Sequence, residues 1–175
     1  MEILFKANSF PNTLNTLMGI ESNYLLRIGD ATIPNNQLQV ATSVNNCTSA
    51  DLQLESGKWY HVAVAFNKGN VKVYINGVEK LSGSTGKSSV SLGAKHTNEE
   101  DGSRCFWVGY SYKDDRYFDG VVSEVRIWNR ALTAEEIQAT NHFYTIEPES
   151  EGLIAYWKFD EGSGTVAKDY SVSGY

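Results

Sequence analysis

Short segments in which apolar and polar residues alternate, each bounded by turn-forming residues, constrain the fold of this chain most strongly. The clearest segment runs from Val121 to Trp128, directly after the turn signal Asp119-Gly120. A period of two over this length is typical of a β-strand with two different faces. One face is predicted to carry Val121, Ser123, Val125 and Ile127, and the other Val122, Glu124, Arg126 and Trp128.

Further strands are predicted along the whole chain, with turn signals between them. Met1 to Ala7 has apolar residues on both faces, which indicates a central strand. Asn76-Gly77 predicts a type I′ hairpin turn, because these residues adopt positive φ at little cost. The other predicted strands cover residues 16–20, 24–28, 37–43, 59–66, 71–75, 78–81, 105–112 and 153–159, and residues 45–51 are predicted to form a loop. This many short strands indicates an all-β sandwich.

One short helix is predicted near residues 133–141. Thr133 and Glu136 have the spacing of a capping box, in which each side chain bonds the other residue's backbone amide. Ile137 supplies an apolar contact, and Asn141 is a plausible helix end.

Four segments resemble the LamG-like domains of the concanavalin A-like lectin/glucanase group. They are FDG-x-x-x-EVRIWNRALTAEEI from Phe118, GKWYHVAV from Gly57, VYING from Val73 and EGLIAYWKFDEGSGTVAKDYS from Glu151. The resemblance implies a two-sheet antiparallel β-sandwich with jelly-roll topology. The first third also resembles versions of the domain in surface proteins of gut Bacteroidetes, which implies an extracellular or cell-surface location.

Length and charge narrow the remaining possibilities. The 175 residues are expected to form a single domain, residues 1–175, excised from a longer exported protein with neighbouring domains. A net charge of −6 argues against nucleic-acid binding, which needs a basic surface. No apolar run reaches membrane-spanning length, and no signal peptide is visible. Cys47 and Cys105 could form a disulfide after export or remain free thiols.

The family resemblance also implies a bound calcium ion, which prefers several oxygen ligands. The acidic residues that match or lie near the family's motifs are Asp119, Glu124, Asp160 and Asp169. Each could instead be an ordinary turn or surface residue. The three histidines, His61, His96 and His142, have no metal-ligand spacing, and His61 is expected to be a packed framework residue.

The best candidate for a sugar-binding loop is YSYKDDRYF, residues 110–118. It combines rings that could stack on a pyranose with side chains that hydrogen-bond hydroxyl groups: Tyr112, Asp114, Asp115, Arg116 and Tyr117. The alternative is a solvated loop in which Arg116 pairs with an aspartate. A second candidate set is Glu21, Asn23, Tyr24 and Arg27.

Three functions remain open at this point. The first is a non-catalytic carbohydrate-binding module with a glycan partner, and the second is a protein-interaction or spacer domain. The third, a glycoside hydrolase, needs two carboxylates flanking the sugar bond. The E-x-D-x-x-E strand pattern of hydrolases with this fold is missing, so we expect no enzymatic activity.

Overall fold

The computed structural model describes residues 1–21, 23–43, 46–90, 105–111, 114–139 and 142–174, without the side chains of residues 43, 46–51 and 114. The described residues form eleven strands, one 3₁₀ turn and one α-helix. The strands are β1 (Glu2–Ala7), β2 (Asn15–Ile20), β3 (Tyr24–Asp30), β4 (Ile33–Ser43), β5 (Asn46–Gln53), β6 (Trp59–Asn67), β7 (Asn70–Ile75), β8 (Val78–Ser84), β9 (Trp107–Val108), β10 (Gly120–Trp128) and β11 (Leu153–Trp157). The 3₁₀ turn covers Asp114–Arg116, and α1 covers Ala134–Gln138.

The strands form two antiparallel sheets that pack as a sandwich, as predicted. The larger sheet has the order β11-β10-β1-β6-β7-β8, and the smaller has the order β5-β4-β3-β2-β9. β1 lies between β10 and β6, which confirms that it is a central strand. Asn76 and Gly77 have φ values of 50° and 76°, which confirms the predicted β7–β8 turn.

The core lies between the two sheets and is filled by the inward face of each strand. From the larger sheet, Ile3, Phe5, Val62 and Val64 are almost fully buried. The smaller sheet contributes a matching layer that includes Met18, Leu26, Ile28, Leu38 and Val40. Buried apolar surface stabilises a fold by roughly 25 cal/mol per Å², so this core is the main source of the fold's stability.

Several strand predictions differ from the structure; β4, for example, begins at Ile33 rather than at residue 37. A bulge in β10 pairs Leu4 with Glu124 but Phe5 with Val122, so strict alternation stops at Ser123. Val122 therefore packs against the core while Val121 is 44% exposed, and the prediction that Val121 shares a face with Val125 is wrong. Residues 46–53 form β5 rather than a loop. The strand predicted at 105–112 shortens to β9, where Phe106 and Val108 still pack against the core.

Helix α1 covers the outer face of the larger sheet. The capping box is present, because the Glu136 amide donates to Thr133 Oγ1 and the Thr133 amide donates to Glu136 Oε2. Ile137 is fully buried in a second small cluster with Ala63, Tyr74 and Leu132. Ala139 already has extended ψ, so the helix ends at Gln138, and the predicted end at Asn141 lies outside the described residues.

The C-terminal segment completes the larger sheet. β11 pairs with β10, and Leu153, Ala155 and Tyr156 are buried. Beyond β11, Asp169 forms a bridge with Trp157, and the Tyr170 amide donates to the Tyr156 carbonyl. Among the described residues, no helix has the length and apolar character needed to cross a membrane.

Candidate functional site

The predicted sugar-binding loop is bonded to the smaller sheet at its start, and its two ends are bonded to each other. The Gly109 amide donates to the Leu17 carbonyl of β2, and the Phe118 amide donates to the Gly109 carbonyl. Asn12 Nδ2 donates to the Tyr117 carbonyl at 2.9 Å. These bonds hold the loop on a rigid scaffold, which is a common setting for binding residues.

Arg116 connects the loop to the second candidate set. Its Nη1 atom lies 2.9 Å from Glu21 Oε2, whose other oxygen lies 4.0 Å from Arg27 Nη1. Arg27 also donates to Gln39 at 2.7 Å and pairs with Asp30. The structure therefore brings residues from both predicted sets into one cluster, here called the Arg116 cluster: Arg116, Glu21, Arg27, Asp30 and Gln39.

The Arg116 cluster is largely buried, although four of its five side chains carry a formal charge. The side chains of Arg27 and Glu21 are 9% and 14% exposed, and that of Arg116 is 16% exposed. Two arginines face two carboxylates, so the formal charges cancel. Buried ion pairs persist only when additional hydrogen bonds satisfy them, and this one is held by Gln39 and Asp30. The Arg116 cluster thus places guanidinium and carboxylate groups next to the loop, where they could bind a polar ligand.

The two neighbours of Arg116 in the chain are exposed. The Tyr117 residue is 43% exposed, and the Asp115 side chain is 79% exposed, with its carboxylate 3.9 Å from Arg116 Nε. Arg116 therefore pairs closely with Glu21 and only loosely with the neighbouring aspartate. Tyr112 and the side chain of Asp114, both predicted to bind, lie outside the described residues.

Tyr24, from the second predicted set, faces the core instead of solvent. Its ring packs against Phe66 at 5.8 Å between centroids, and its hydroxyl lies 3.5 Å from the Val64 carbonyl. Burial raises the pKa of Tyr24 well above its usual range. Tyr24 is therefore a packing residue, because a ligand at the surface cannot reach it.

The four predicted calcium ligands lie apart and already accept hydrogen bonds from the protein. Asp119 accepts from Asn8 and Ser9, and Asp160 accepts from the Tyr170 hydroxyl. Asp169 accepts from the amides of Tyr156 and Ser171. Glu124 pairs with Arg126 and accepts from the Tyr156 hydroxyl at 3.1 Å.

This arrangement does not fit one shared calcium ion. Asp119 and Glu124 are five positions apart along an extended chain, which places them roughly 15 Å apart, whereas calcium ligands lie about 2.3–2.6 Å from the ion. Within the described ranges, these carboxylates do not occur in any group of three or more residues with metal-ligand geometry. Calcium binding through individual carboxylates of this set stays a prediction.

Sequence reasoning missed a buried cluster on the outer face of the larger sheet. Glu2 of β1, His61 of β6 and His142, which follows α1, place three ligand atoms within 4.8 Å of one another. The Glu2 carboxylate accepts from Trp128 Nε1 at 2.7 Å and lies 2.5 Å from His142 Nε2. Burial alone would raise the pKa of Glu2, but the adjacent His142 and His61 side chains hold it well below its usual range. Residues this far apart in sequence have no spacing signal.

Two solved structures resemble this chain in fold. A provisionally assigned carbohydrate-binding protein from Bacteroides ovatus is 30% identical, with a TM-score of 0.79 over 96% of this chain and 48% of its own. Domain 4 of AbnA, a GH43 extracellular arabinanase from Geobacillus stearothermophilus, was solved with arabinotriose. It is 25% identical, with a TM-score of 0.58 over 78% of this chain and 63% of its own.

A further relative is the human adhesion G-protein coupled receptor D1, which is 34% identical over 85 residues. The match covers 45% of this chain and 8% of the receptor. The chain therefore spans less than two thirds of each of these three proteins. A family model matches residues 2–138, from β1 through α1. The chain belongs to the family that this model describes, the concanavalin A-like lectin/glucanases superfamily.

Proposed function

We propose that this domain is a non-catalytic carbohydrate-binding module of an extracellular or cell-surface protein. The observation that carries the proposal is the exposed Tyr117, next in the chain to Arg116 of the cluster, on a loop whose two ends are bonded to each other. An aromatic face can cover the apolar face of a pyranose, while guanidinium and carboxylate groups bind its hydroxyls. The likeness to a sandwich domain solved with arabinotriose supports a glycan ligand.

The described carboxylates give little support for hydrolysis. Glycoside hydrolases use two carboxyl groups roughly 5–10 Å apart across a substrate groove, one of them protonated. Glu21 pairs with two arginines, and Glu124 pairs with Arg126, so each carboxylate is held in an ion pair within the fold. We therefore propose binding without cleavage.

A glycan-array screen tests this proposal, run once with calcium and once with chelator. Specific binding in calcium is the expected result, and loss with chelator would support the calcium prediction. Binding that persists with chelator would support a carbohydrate-binding module that does not need calcium. A folded domain that binds no glycan in either condition, while cleaving or ignoring the same sugars in solution, would refute it.

A second candidate, a protein-contact domain, is favoured by one observation on the larger sheet. Trp59, Lys6 and Val121 lie side by side across β6, β1 and β10, and Trp59 and Val121 are 45% and 44% exposed. Exposed apolar residues that adjoin one another mark interaction surfaces. A Trp59→Ala variant should leave glycan binding unchanged if this surface contacts protein, and lose it if the surface binds the sugar.

A further inference from the structure

We propose that Glu2, His61 and His142 form a binding site for a divalent transition metal, with zinc as the preferred ion. The proposal does not depend on carbohydrate binding, because the cluster shares no residue with the candidate sugar-binding loop. Three ligands of this type, two imidazoles and one carboxylate, are a common zinc set. Imidazole nitrogens favour zinc, copper or nickel over calcium.

The two distances from the Glu2 carboxylate suit a small ion, and all three ligand atoms lie within 4.8 Å of one another. Glu2 Oε1 lies 3.2 Å from His61 Nε2 and 2.5 Å from His142 Nε2. Ligands of a tetrahedral zinc ion lie roughly 3.3 Å apart, given bonds of about 2.0–2.2 Å. His61 is already at this separation, and His142 needs to move outward by less than an ångström. His142 follows the last turn of α1 and is not part of a sheet, so such a shift leaves the strands in place.

The environment of His61 supports a bound metal independently of these distances. Its side chain is 3% exposed. Nε2 faces Glu2 Oε1 at 3.2 Å without the alignment of a hydrogen bond, and Nδ1 has no hydrogen-bond partner in the described part of the chain. The ring instead packs against Phe143, with 4.8 Å between centroids. A buried polar group without a partner costs roughly 1–3 kcal/mol. A metal ion at Nε2 would remove that cost at one of the two nitrogens.

The surroundings support both positioning and access. Trp128 Nε1 donates to Glu2 Oε2, which leaves Oε1 directed at the two histidines. Such bonds to the second carboxylate oxygen orient metal ligands. Beside the cluster is a cavity of about 230 Å³, whose wall includes Trp128, Arg130, Glu136 and His142. It is large enough for water, which would complete the coordination.

Zinc titration calorimetry of the chelator-treated protein tests the site. We expect one zinc ion per chain. His142→Gln keeps the volume and a hydrogen-bonding group beside Glu2 but removes the imidazole. We expect it to weaken binding by more than the roughly 10–100-fold that loss of an orienting bond costs. Trp128→Phe removes only the N–H donor, and we expect it to fall within that 10–100-fold range.

The control is Glu55→Gln, which removes an exposed carboxylate from the turn before β6 and should leave zinc affinity unchanged. Cobalt gives an independent readout, since a tetrahedral nitrogen–oxygen site absorbs strongly in the visible region. Zinc should also raise the melting temperature of the wild type but not of His142→Gln. Failure of the wild type to bind zinc and cobalt would overturn the proposal. If His142→Gln and His61→Gln both bound zinc as tightly as the wild type, the zinc would be bound elsewhere on the surface, and the proposal would also be overturned.

Discussion

Replacing Arg126 with methionine should be among the most destabilising single changes in the chain. Arg126 is 1% exposed, pairs with Glu124, donates to the His142 carbonyl at 2.6 Å and stacks 5.2 Å from the Tyr156 ring centre. Methionine retains the packing but leaves Glu124, whose side chain is 15% exposed, without its cation. Breaking a buried pair by removing one partner costs about 3–5 kcal/mol. That is a large fraction of a typical stability of about 5–15 kcal/mol.

Urea unfolding of a double-mutant cycle separates the ion pair from the packing. Arg126→Met/Glu124→Gln removes the unpaired charge as well, so it should recover at least about 1 kcal/mol of the loss. Arg130→Met is the matched control, because its partner Glu136 is 38% exposed and such surface pairs contribute about 1 kcal/mol or less. A cost below about 1 kcal/mol for Arg126→Met, or no recovery in the double variant, would refute this reasoning.

Three further predictions concern packing, pH and backbone. Ile137→Ala should cost about 2–5 kcal/mol in urea unfolding, because this fully buried side chain holds α1 on the sheet. The hydrogen bond from Arg130 lowers the pKa of Glu136 from 4.5 to about 2. Glu136→Gln should therefore be slightly less stable than the wild type above pH 4.5, with the difference disappearing as the pH falls towards 2. Gly19→Ala should destabilise strongly in thermal unfolding, because φ is +127° and a Cβ would lie 2.2 Å from the Tyr24 carbonyl oxygen. The same pH dependence of stability in Glu136→Gln and the wild type would contradict the pH prediction. A melting temperature of Gly19→Ala within error of the wild type would contradict the backbone prediction.

The sequence was sufficient to predict local features of the fold. Alternation identified β1 and β6, Asn76-Gly77 identified the turn, and Thr133 with Glu136 identified the start of the helix. Each of these signals depends on residues close together in the chain. The bulge at Ser123 was not predictable, because it depends on how β10 pairs with β1.

The candidate site shows the same limit. The loop was predicted because its aromatic and charged residues are contiguous, and Tyr117 is exposed in the structure. Its link to Glu21 joins residues nearly a hundred positions apart, and only the pairing of β9 with β2 brings them together. Glu2 and His142 are further apart still, 140 positions in sequence. Such contacts follow from topology, which periodicity does not specify.

The affinity of the domain for its array-selected glycan, measured by calorimetry for three proteins, tests the central claim most directly. The proteins are the wild type, Tyr117→Ala and Tyr144→Ala, where Tyr144 is a 74% exposed tyrosine away from the loop. Truncating a ring that contacts ligand costs more than about 1 kcal/mol, so Tyr117→Ala should bind more than about fivefold more weakly. Tyr144→Ala should bind like the wild type. Equal affinity for all three proteins would contradict the account, as would a loss confined to Tyr144→Ala.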